Sequence, residues 1–128
     1  MVSPSENDWK RFSRAYREYE SNRYGYCTCF TCGSHKHWKE MDLGHYIDRR
    51  WASIKYFFPN LEIQCQKCNR YEDGNLDSYS RQLITKYHGD WIIPFLEESK
   101  LTFRPLYKDE VKWLISHLRA GIKSKLLF

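Results

Sequence analysis

Two Cys-x2-Cys pairs, Cys29/Cys32 and Cys65/Cys68, constrain this chain more than any other feature. One such turn brings two sulfurs within reach of a single ion, so two turns complete a tetrahedral four-thiolate zinc site. Residues 33–64, 32 in all, separate the pairs. The amino terminus, MVSPSENDWKRF, has no apolar core of a signal peptide, so a cytoplasmic chain is expected. There, paired Cys-x2-Cys motifs mean metal more often than disulfide. A redox pair or four free buried thiols are the competing readings. Cys27 is left over: a Cys27-x4-Cys32 pairing is possible, but Cys29 has the better spacing, and Cys27 reads as a small buried hydrophobe. His35 and His37 read as surface residues beside a ligand set that is already complete.

A length of 128 residues suits one domain with a modest core. Aromatics make up 17% of the chain, which argues against disorder and suits a thin core or a surface that meets a partner. Lys plus Arg exceed Asp plus Glu by 21 − 16, a formal charge of +5. That fits a nucleic-acid-binding protein without demanding one. Apolar runs such as WII and KLLF are far shorter than the ~20 residues that span a bilayer, so no membrane partner is expected.

Taken in order, Ser3-Pro4-Ser5 starts a helix over residues 6–22, with Trp9, Phe12, Tyr16 and Tyr19 on one face. Lys10, Arg11, Arg14 and Arg17 flank that face and read as a solvated basic side, with a DNA-contacting helix as the alternative. Residues 38–42 and 45–49 read as two short strands about Leu43-Gly44, followed by an aromatic loop over 51–60. Leu61–Ile63 alternates as a strand, and Cys65 and Cys68 open a helix that bends at Gly74-Asn75. A helical stripe runs from Leu76 to Tyr87, a short helix from Trp91 to about Lys100, and a last helix from Lys108 to about Leu126. Val111, Leu114, Ile115, Leu118 and Ile122 form the apolar face of that last helix. The chain thus divides into an N-terminal helix (1–26), a zinc-bound core (27–89) and C-terminal helices (90–128) within one domain.

One knuckle on a hairpin and the other at a helix start describe an α+β treble-clef zinc fold, an architecture that serves many functions. Here the chain resembles the phage recombination nucleases of the NinG (Rap) type and, more distantly, phage endonuclease VII, within the HNH or His-Me finger group. The resemblance covers Cys29 to Lys100. It is carried by Cys29-x2-Cys32, GHYIDR at Gly44–Arg49, CQKCN at Cys65–Asn69, and Gly74-Asn75, in matching order and spacing. It implies a ββα-metal, HNH-like core beside the zinc, with helices flanking it.

It also implies that His45 is the general base. Hydrolysis of a phosphodiester needs a base for water and a cation for the charge on phosphate and leaving oxygen, and a histidine of pKa about 6.5 suits the first role. Asn69 directly follows the last thiol, and its amide oxygen suits Mg²⁺ or Mn²⁺. Glu72 and Asp73, three and four residues on, would share its helical face. Likeness to endonuclease VII favours Glu72 as the metal carboxylate, and the wider HNH pattern favours Asp73. HNH enzymes commonly carry a metal-binding aspartate directly before the base, where this chain has Gly44. Asp42 or Asp48 would have to substitute, and a bulge at Gly44 is the device that would turn Asp42 toward His45. Arg49, Arg50, Lys67 and Arg70, with Arg81 and Lys86 beyond, are positioned to hold a nucleic-acid backbone.

The expected protein is therefore a zinc-stabilised, Mg²⁺- or Mn²⁺-dependent endonuclease. By resemblance its substrate is branched recombination DNA such as a Holliday junction or D-loop. Symmetrical cutting of a junction suits a homodimer, with the terminal helices as candidate surfaces. A non-catalytic zinc module that binds nucleic acid and a general nuclease without junction preference are the alternatives.

Overall fold

The structure is a computed structural model, and it describes residues 1–121. It is α+β: helix α1 (Glu6–Glu20), strands β1 (Tyr26–Thr28), β2 (His35–His37), β3 (Met41–His45) and β4 (Leu61–Cys65), then helices α2 (Leu76–Lys86), α3 (Ile92–Thr102) and α4 (Lys108–Arg119). The strands form two separate antiparallel pairs, β1–β2 and β3–β4. Among the described residues no helix is long and apolar enough to cross a membrane.

Ser5 caps α1 reciprocally with Asp8, and the side chain of Asp8 is further held by Lys108 of α4 at 2.6 Å. The apolar stripe read from the sequence is the buried one: Trp9, Phe12 and Tyr16 join Val111, Leu114, Ile115 and Leu118 of α4 in one cluster with Met41, Leu43, Leu61 and Ile63. Burying each such side chain contributes roughly 1.5–3 kcal/mol. The apolar stripes of α1 and α4 therefore pack within one chain, where the sequence offered them as candidate dimer surfaces. A second cluster forms where Tyr79 and Leu83 of α2 meet Ile92 and Leu96 of α3, together with Ile47 and Ile54. The remainder of the expected last helix, including Ile122, lies outside the described residues.

The expected hairpin about Leu43-Gly44 is absent. Residues 38–40 form a 3-10 turn, and β3 runs unbroken through Gly44. Its partner is β4, paired one to one from Met41↔Cys65 to His45↔Leu61, so the proposed bulge is absent too. The aromatic loop between them contains two 3-10 turns and is tied back by Asn60, fully buried, whose side chain bonds both the amide and carbonyl of Ile47 at 2.8 and 2.9 Å.

Glycine at position 44 has a packing cause rather than a turn cause. A Cβ there would lie 1.9 Å from Oε1 of Gln64. Gln64 is fully buried and donates through Nε2 to the Gly74 carbonyl at 2.8 Å and to Thr31 Oγ1 at 3.1 Å. Its Oε1 has no partner among the described residues. Gly44→Ala is therefore expected to cost about 1–3 kcal/mol by overpacking, read as a lowered urea midpoint. Adding Gln64→Ala should recover part of the Gly44→Ala loss; strictly additive losses would show that the two sites are not in conflict.

Candidate functional site

The four thiols converge. Sγ of Cys29, Cys32, Cys65 and Cys68 all lie within 4.8 Å of one another. Zinc–sulfur bonds of ~2.3 Å in a tetrahedron place sulfurs ~3.8 Å apart, and Cys32 and Cys65 stand at 3.7 Å. Cys29 and Cys32 come from the loop joining β1 to β2, Cys65 from the end of β4, and Cys68 from the following π-helical turn, Lys67–Tyr71. The Thr31 hydroxyl is 3.3 Å from Cys29 Sγ, and the Cys68 amide donates to Cys65 Sγ at 3.4 Å. Burial raises the Cys29 thiol, but hydrogen bonds from Thr31 and nearby amides outweigh it and hold the pKa below the ordinary range, toward the thiolate that metals bind. Cys27 is buried outside this cluster, and burial pushes its thiol up.

Beside the cluster lies a cleft of about 640 Å³. His45, Asn69, Asp42, Asp48 and Asp73 all line it, so most of the candidates named from sequence share one wall-to-wall space. Glu72 is not among the lining residues; its carboxylate faces Lys67 at 3.7 Å. The expected common helical face of Asn69, Glu72 and Asp73 does not exist, because the helical turn stops at Tyr71. Asp73, Gly74 and Asn75 then follow with φ of 49, 87 and 49°. Three successive left-handed residues are strained unless held. Here the Gly74 amide donates to the Cys68 carbonyl, the Asn75 side chain to Cys68 Sγ, and Gln64 to the Gly74 carbonyl. The thiol cluster thus fixes the loop that carries Asp73 into the cleft.

His45 sits at the end of β3 with its ring 4.9 Å from that of Trp9. Its Nε2 is 2.9 Å from the Lys55 carbonyl. A carbonyl only accepts, so Nε2 carries the proton and Nδ1 keeps its lone pair. Nδ1 has no partner among the described residues. Burial lowers the pKa to about 4, with the nearby Arg49 and Lys55 charges adding to it and the Lys55 carbonyl opposing it. The ring is neutral at pH 7 and able to accept a proton.

Asp42 takes Arg70 bidentately at 2.8 and 2.9 Å and Asn69 Nδ2 at 3.0 Å. With its amide nitrogen held in this way, Asn69 has Oδ1 free among the described residues. Asp48 accepts from the Arg50 amide and closes the turn over residues 48–51.

A family model, described as Bacteriophage Lambda NinG protein, matches residues 3–126. The chain belongs to the NinG family. No curated protein and no solved structure matches it. Of the basic residues named from sequence, this NinG-family chain brings Arg49 and Arg70 to the cleft, whereas Arg50, Lys67, Arg81 and Lys86 are not among its lining residues. Arg50 pairs with Asp48, Lys67 with Glu72, Arg81 with Asp77 and Lys86 with Glu62. Lys10 and Arg17 of α1 line the cleft instead. Trp9, Lys55, Asn60 and Gln64, which hold the site from behind, carry no local signal of that role, because each acts across at least ten residues of chain.

Proposed function

We propose that this NinG-family chain is a metal-dependent DNA endonuclease of the HNH (His-Me finger) type that cuts branched recombination intermediates. In this reading the thiol cluster holds a structural zinc in a treble clef, and β3, β4 and the following helical turn serve as the ββα-metal core. The observation that carries it is the His45 tautomer: a half-buried, neutral imidazole with Nε2 fixed by a backbone carbonyl and Nδ1 unpartnered among the described residues, in the same cleft as Asn69 and Asp73.

His45 takes the proton of the attacking water through Nδ1. Asn69 Oδ1 and the Asp73 carboxylate are hard oxygen donors of the kind Mg²⁺ or Mn²⁺ prefers, and they would hold that ion. Bound there, it supplies charge stabilisation at the phosphate and the leaving 3′ oxygen. Asp42, already gripped by Arg70 and Asn69, orients Asn69. Between the two carboxylates left open by sequence, Asp73 is assigned because it lines the cleft and Glu72 does not. Junction resolution needs two symmetrical cuts, which supports a homodimer as the working unit.

Metal titration of cleavage tests the assignment. Asp73→Asn is expected to raise the Mg²⁺ concentration giving half-maximal cutting by at least roughly tenfold, and Glu72→Gln to leave it near wild type. The reverse pattern would transfer the role to Glu72. Absence of any Mg²⁺- or Mn²⁺-dependent cutting of nucleic acid by the wild type would leave a zinc-bearing binding module.

A further inference from the structure

Arg17 stands apart from the other cations of the cleft. Arg49 is paired with Glu6 at 2.6 Å and Arg70 with Asp42 at 2.8 Å. Arg17 is half-buried, and its close contacts are all neutral: Nε donates to the Ser13 carbonyl and hydroxyl at 3.2 Å, Nη1 to the carbonyls of Trp38 and Met41 at 2.9 and 3.1 Å, and the guanidinium lies 5.5 Å from the centroid of the Trp38 ring. Among the described residues no carboxylate comes within 4.0 Å of it, and Nη2 has no partner. Burial pulls its pKa below the ordinary arginine value. Asp42 and Glu18 oppose that shift only from beyond ion-pair distance. A partly desolvated guanidinium held rigidly by dipoles, with no carboxylate in direct contact, is a preorganised receptor for an anion. Lys10 lies two helical turns away on the same cleft-lining face of α1, exposed and likewise without an ion pair among the described residues. The carbonyl of Met41, which Arg17 grips, directly precedes Asp42.

We propose that Arg17 and Lys10 form a phosphate subsite on the α1 wall of the cleft, taking the nucleic-acid backbone next to the phosphate that is cut. The subsite rests on the nucleic-acid substrate of the reading above. It turns α1 from a packing helix with a solvated basic flank into the second wall of the substrate groove. Arginine serves as the fixed contact and lysine as the adaptable one.

Binding without cutting tests it. A fluorescein-labelled four-way junction and a matched duplex are titrated by anisotropy over a range of NaCl, with Ca²⁺ in place of Mg²⁺. The proteins are zinc-loaded wild type, Lys10→Gln, Arg17→Gln, the double variant of these two and, as a charge control outside the cleft, Arg23→Gln. Each cleft variant is expected to reduce the slope of log Kobs against log[NaCl] by about one, and the double variant by about two, with Arg23→Gln at the wild-type slope. In cleavage, the cleft variants should raise KM more than they lower kcat. Arg17→Gln keeps a donor for the carbonyls, and if it nonetheless fails to fold, Lys10→Gln decides alone. Wild-type slopes in both folded variants, or no DNA binding by the wild type, would overturn the subsite. Reduced slopes in a protein that cuts nothing would keep the subsite and remove the nuclease.

Discussion

His45→Ala is expected to lower the rate of DNA cutting by about 10²–10⁴-fold, the range for loss of a positioned general base. Zinc content and helicity should stay at the wild-type level. Because the ring packs on Trp9 and bonds the Lys55 carbonyl, removing it also leaves a gap. His45→Asn, which keeps a donor for that carbonyl, should be just as inactive. The pH profile of the wild type gives a second readout. Burial lowers the pKa to about 4, so the neutral, proton-accepting form predominates at every pH well above that value. Cutting should therefore persist as pH falls below 6.5 and decline only as it approaches 4. A rate that halves near 6.5, the value of a solvated histidine, would show that His45 is not the partly desolvated base described here.

Cys65→Ser is expected to act by a different route. Structural zinc in small domains is worth roughly 10–16 kcal/mol of apparent binding free energy, as much as the whole stability of a typical domain. Loss of one thiolate should remove zinc and the cooperative thermal transition together, with chelation of the wild type giving the same result. The cleft would be lost with them, since the Cys68 carbonyl and thiol hold Gly74 and Asn75, and with those the strained residue Asp73. Cys27→Ser, outside the cluster, should retain full zinc content. A Cys65→Ser protein that stayed folded and zinc-loaded would show that the ligand set is wrong.

What could be read from sequence was whatever is encoded by local spacing. The Cys-x2-Cys turns supply two thiols each to the cluster, and the helical periods of Trp9, Phe12 and Tyr16 and of Val111, Leu114 and Ile115 announce the faces that become the core. Gly44 misled because a glycine between two apolar stretches looks like a turn. Its real cause, Gln64, lies twenty residues away and reaches it only once β3 and β4 pair. The placement of Glu72 and Asp73 failed for a related reason. Helical spacing applies only while the helix lasts, and the left-handed run after Tyr71 is stabilised by the thiol cluster and Gln64 rather than by its own sequence. The sequence left α1 open between a solvated basic flank and a DNA-contacting helix, because basic residues on a helix flank look alike whether they face water or a cleft. Only the packing of α1 on β3 and α4 shows that Lys10 and Arg17 face inward to the site.

The most direct test of a zinc-positioned nuclease is cleavage of a synthetic four-way junction, beside its matched linear duplex, by zinc-loaded wild type and His45→Ala in Mg²⁺. The expected result is Mg²⁺-dependent cutting of the junction by the wild type, slower cutting of the duplex, and none by the variant at equal zinc content. Equal cutting of both substrates would remove the junction preference alone. A wild type that cuts neither, or a His45→Ala protein that cuts as fast as wild type, would contradict the account.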